Sequence, residues 1–154
     1  MPHDNQPGDG ASVGERMRAE HTRLEALLAG FRDEEIVQPG RFGAWSVKDM
    51  LAHITFWEQR LIAYVNGATE SLVQPDEDET VAIDRINAEV LAAHRDRRLA
   101  EVRAAFDASY QQTLALAESL SAEDLANEAL YGLLAGDTFE HYREHIEMLE
   151  NGQR

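Results

Sequence analysis

The stretch GAWSVKDMLAHITFWEQ, residues 43–59, decides how the rest of the chain is read. Ser46 stands where a helix N-cap is wanted, Asp49 falls three residues later, and Trp45 can staple to Met50 across the first turn. The apolar positions that follow recur at helical spacing, so a helix is predicted over Val47 to Val65, stopped by Asn66-Gly67. At about 100° per residue, Tyr64, Trp57, Met50 and Leu61 fall within about 80° of His53, which therefore borders the apolar stripe.

Working outward, Ser12 and Glu15 make another capping-box pattern, and Met17, Leu24, Leu27, Leu28 and Phe31 mark a first helix from Val13 to Phe31. The connection DEEIVQPGRFGAW reads as loop, and the acidic run QPDEDE as a linker. Val81, Ile83, Ile86 and Val90 are spaced for a further helix, interrupted by HRDRR. From Leu99 to Leu120 a long helix is predicted, then a short capped turn at Ser121 and Asp124. LYGLLAG reads as a glycine-containing connection, and Asp137 with Glu140 as the capping box of a last helix over Thr138 to Glu150. Long amphipathic helices without strand-like alternation imply an all-α, up-down four-helix bundle with a short accessory helix. Residues 1–11, with two prolines and two glycines, read as a disordered leader, and residues 12–154 as a single domain.

Composition narrows the function. With 14 Lys+Arg against 29 Asp+Glu the formal charge is −15, which repels phosphate backbones and anionic lipid, so neither nucleic acid nor membrane is expected as a partner. The absence of cysteine excludes disulfides, thiolate metal sites and a cysteine nucleophile. No targeting segment and no apolar run of membrane-spanning length is visible, so a cytoplasmic protein is expected.

The last helix contains HYREH, which places His141 and His145 one turn apart on one face. This spacing alone is a weak signal. It gains weight because His53 occupies the same border of the apolar face on another helix, so that three imidazoles can reach one point inside a bundle. HYREH also fits the H-x-x-E-H string of inverted zinc peptidases, but that class needs a further carboxylate ligand downstream and a large chamber, for which this chain leaves no room. His3 falls in the leader, His94 in a charged run, and His21 at a core border.

These segments carry a resemblance. WSVKDMLAHI, residues 45–54, and GDTFEHYREHI, residues 136–146, resemble the DinB-like superfamily of bacterial four-helix bundles, and residues 86–125 are similar to its ClbS/DfsB branch. The resemblance implies that His53, His141 and His145 bind one divalent metal, zinc or nickel. It also implies the superfamily's chemistry: transfer or isomerisation with low-molecular-weight thiols or, in the ClbS branch, hydrolytic protection against a genotoxin.

Three neutral imidazoles with open coordination positions let a metal activate water or an external thiol, which this cysteine-free chain cannot itself supply. Glu144, beside His145, and Glu58, inside the apolar arc, are the candidate bases. Trp57 and Tyr64 are the candidate pocket walls. The leading expectation is a metal-dependent hydrolase or thiol-dependent transferase acting on a small reactive molecule. The alternative is a metal-free protein that binds or hydrolyses a toxic metabolite in the bundle cavity. A homodimer is allowed, although no exposed heptad identifies an interface.

Overall fold

The computed structural model describes residues 10–152; the expected leader and His3 therefore lie, but for Gly10 and Ala11, outside the described residues. Eight helical segments occur among them: α1 Val13–Ala29, α2 Asp33–Ile36, α3 Val47–Val65, α4 Glu79–His94, α5 Leu99–Ser119, α6 Ala122–Ala126, α7 Glu128–Asp137 and α8 Phe139–Gly152. The bundle is formed by α1, α3, α5 and α8, with α3 packed on α5, α1 on α8, and α4 laid along α3.

Local signals set most of these boundaries. Ser46 Oγ accepts from the Asp49 backbone N–H at 3.1 Å, and Asp49 Oδ2 accepts from the Ser46 N–H at 2.9 Å, so two orphan donors at the start of α3 are satisfied. Its other end closes at Asn66, followed by Gly67 at a φ of 100° that a side chain would strain. Ser121 and Asp124 repeat this reciprocal pairing at the start of α6, whereas Ser12 caps α1 by accepting from the Glu15 N–H alone.

The core forms where the apolar stripes meet. Met17, Leu24 and Leu28 of α1, Met50, Leu51 and Ile54 of α3, Phe106 of α5, and Tyr142, Ile146 and Leu149 of α8 are all at most 2 % exposed. Each fully buried side chain of this size contributes roughly 1.5–3 kcal/mol relative to leaving it in water.

Five expectations are corrected. The connection DEEIVQPGRFGAW opens with one helical turn, α2, at Asp33–Ile36. Helix α1 stops at Ala29, where the Gly30 N–H turns back to the Leu27 carbonyl at 3.1 Å, so Phe31 lies beyond it. On α4 the inward residues are Ala82, Ile86 and Val90, whereas Val81 and Ile83 face out. The segment LYGLLAG is helix α7: Asn127 caps it by accepting from the Leu130 N–H at 3.1 Å, and burial of Leu134 and Ala135 outweighs the cost of two helical glycines. Asp137 consequently ends α7 and does not cap α8. The break falls at Thr138, whose hydroxyl donates to the Leu134 carbonyl at 2.6 Å while its own carbonyl accepts from the Tyr142 N–H at 2.9 Å.

Candidate functional site

Helix α3 delivers His53 and helix α8 delivers His141 and His145 to one place. Nε2 of His141 lies 2.9 Å from Nε2 of His53 and 3.0 Å from Nε2 of His145, and the three donor atoms all lie within 4.8 Å of one another. The one-turn spacing on α8 aligns two rings on one face, and the packing of α3 beside α8 supplies the third. His53 and His145 are buried, and His141 is partly so.

Burial makes these rings neutral. It lowers His53 to about 4, against a smaller upward pull from Asn87, and lowers His141 to about 3 and His145 to about 2, where neighbouring rings add to the effect. At neutral pH each ring therefore has one N–H and one lone pair.

The lone pair of His53 can be located. The Trp57 indole N–H, which can only donate, meets Asn87 Oδ1 at 3.0 Å, so that atom is an acceptor. His53 Nδ1 lies 3.1 Å from the same oxygen and must donate to it, which leaves the Nε2 lone pair directed at the other two histidines. Nδ1 of His141 and Nδ1 of His145 are buried without a hydrogen-bond partner among the described residues.

A cavity of about 790 Å³ opens over the triad. Phe42, Trp45, Trp57, Ile83 and Met148 form its apolar walls, with Asn87, Asp137, Glu144 and Asn151 as polar members. Trp45 meets His53 in a T-shaped pair, with ring centroids 5.1 Å apart. A tight turn presents Phe42 and Trp45 together: the Trp45 N–H donates to the Phe42 carbonyl at 3.0 Å, and Gly43 between them has a φ of 59°.

The candidates named from sequence separate here. His53, His141, His145, Trp57 and Glu144 meet at the cavity. Tyr64 does not: it is 52 % exposed and lines a separate depression near Gly67, because two further turns carry it to the far end of α3. Glu58 does not line the cavity either; it is fully buried and accepts a hydrogen bond from the Tyr142 hydroxyl, so its place is between α3 and α8. Burial pushes Glu58 up to about 7, with hydrogen bonds from Tyr142, Ser109 and Thr113 pulling the other way. Two functional candidates went unread in the sequence. Asp137 resembled a cap, and Asn87 is an ordinary polar residue on a helix with no local signal. His21 stacks on Tyr110 at 3.6 Å between centroids, and His94 Nδ1 meets the Val90 carbonyl at 2.8 Å, so both serve packing and a helix end.

The model of the DinB superfamily matches residues 10–149, nearly all of the described structure. The chain belongs to the DinB superfamily. Among solved structures, the crystal structure of the colibactin self-resistance protein ClbS in complex with a dsDNA aligns with a TM-score of 0.79 at 14 % identity, covering 92 % of this chain and 93 % of that one. No curated protein matches in sequence. At that identity the likeness to ClbS establishes the shared DinB-like helical fold.

The ClbS complex also corrects the exclusion of nucleic acid drawn from net charge. A protein of this fold was solved on a DNA duplex, and the summed charge of a chain does not report the potential over any one surface. Among the described residues no helix is long and apolar enough to cross a membrane.

Proposed function

We propose that this DinB-superfamily chain is a metal-dependent enzyme in which His53, His141 and His145 hold one divalent ion, zinc or nickel, beneath a cavity for a small reactive molecule. The observation that carries this reading is the approach of three Nε2 atoms from two helices, with the His53 lone pair turned inward by Asn87. The donor set fits a cation. Three neutral rings bring donor atoms within 4.8 Å of one another, and a borderline ion with a preference for imidazole accepts their lone pairs without a proton.

A divalent ion bound there supplies Lewis acidity that brings water, or an external thiol, toward ionisation near neutral pH. The chain supplies the rest. Glu144 and Asp137 line the cavity and can accept a proton, Asn87 holds the His53 ring, and Trp45 and Trp57 shield one side from solvent. Glu58, sealed behind Tyr142, acts on packing between α3 and α8. Activation of water is favoured over transfer to a thiol, because the described residues of the cavity lining include no Lys or Arg to grip the carboxylates that small thiol cofactors commonly carry.

Elemental analysis of the purified chain tests this reading. About one zinc or nickel per chain is expected, lost in His141→Ala; a protein that stays metal-free in zinc- and nickel-supplemented buffer overturns it. A second reading, a metal-free protein that holds or hydrolyses a toxic metabolite in the same cavity, is favoured by the fold shared with a self-resistance protein. Activity that survives a chelator selects it.

A further inference from the structure

The cavity over the triad is chemically one-sided. Among the described residues that line it, the only acidic or basic side chains besides the histidines are Asp137 and Glu144, and none is Lys or Arg. No hydrogen bond or ion pair reaches the Asp137 side chain among the described residues, although the residue is half-buried at the end of α7. Burial alone pushes its carboxyl up to about 6, with no cation to offset it. A carboxylate withdrawn from water without a partner loses solvation that a bound cation restores.

The walls facing it suit the rest of such a ligand. Both tryptophans of the chain, Trp45 and Trp57, line the cavity with Phe42, and aromatic faces attract cations. Ile83 and Met148 are 39 % and 43 % exposed, and both border the same space, so two of the chain's exposed large apolar side chains are gathered where a ligand would cover them.

We propose that the cavity is specific for a small organic cation, a protonated amine or amidine on a flat apolar body, whose charged end pairs with Asp137 while its body lies between the tryptophans and Met148. This substrate class rests on the enzyme reading above for its chemistry but not for its binding, because the cation is held by carboxylate and aromatic groups outside the triad.

The test uses benzylammonium and benzoate, matched in shape and opposite in charge, with the fluorescence of the two cavity tryptophans as the readout. Chelator-treated protein is expected to bind benzylammonium at least tenfold more tightly than benzoate, and Asp137→Asn to remove most of that difference; Glu144→Gln, an exposed position, gives a second and smaller loss. Equal affinity for the two probes, or a preference for benzoate, overturns the proposal without recourse to any variant. Zinc content measured on the purified protein before chelator treatment keeps the two readings apart, since a protein that prefers benzylammonium yet was purified without zinc refutes only the metal centre, and one that held zinc but shows no charge preference refutes only the cation site.

Discussion

The imidazole of His53 donates through Nδ1 to the side-chain oxygen of Asn87, 3.1 Å away on a neighbouring helix. Helix α4 thus governs the tautomer of a ring on α3, and through it the direction of the lone pair that faces His141. Replacing Asn87 with Ala frees the ring to turn and leaves the Trp57 N–H unpaired. Zinc affinity is expected to fall roughly 10–100-fold, as measured by competition with a chromophoric chelator. An unaltered affinity would show that Asn87 does not orient the ligand.

Glu58 makes part of the fold's stability depend on pH. Its carboxyl is raised from the ordinary 4.5 to about 7, so in the window between those values the folded chain binds a proton that the unfolded chain releases, and this group's contribution to stability declines as pH rises. In Glu58→Gln that decline disappears. Urea unfolding at pH 5 and pH 8 measures it, the wild type losing more stability than the variant across the interval. Tyr142→Phe removes the donor to the buried carboxyl and is expected to cost roughly 1–3 kcal/mol.

Ser46→Ala removes the acceptor at the start of α3 while leaving the site residues in place. A loss of about 1 kcal/mol in thermal or chemical unfolding is expected, with zinc stoichiometry unchanged. A variant that also loses its metal would mean that the first turn of α3 controls the position of His53, two turns further on.

Tyr64 and Trp57 lie on one side of α3 by sequence, yet they are expected to behave differently. Tyr64→Ala, at an exposed position outside the cavity, should shift stability by no more than about 0.5 kcal/mol and leave probe binding unaltered. Trp57→Phe loses the hydrogen bond to Asn87 and a cavity wall, so both benzylammonium binding and zinc affinity should drop. Isothermal titration of both variants with the same two probes decides it.

The elements legible in advance were those written in short-range chemistry. Ser46 with Asp49 and Asn66 with Gly67 delimit α3 because caps and stops act within a few residues, and His141 with His145 share a face because a helix turn is a local repeat. The same locality misled at LYGLLAG and Asp137. Two glycines and an acidic residue look like a loop and a cap, and only the burial of Leu134 and Ala135 makes that segment helical through Asp137.

By itself, then, the chain's residue pattern determined the four bundle helices α1, α3, α5 and α8, their apolar faces and the pairing of His141 with His145, since all of these follow from interactions within one helix. Tertiary packing alone decided that His53 meets them, that Asn87 from α4 fixes its tautomer, that Asp137 enters the cavity, and that Glu58 and Tyr64 stay out of it. The physical reason is that an angle on a helical wheel specifies a direction, whereas a site requires the depth and neighbour that come only when helices dock.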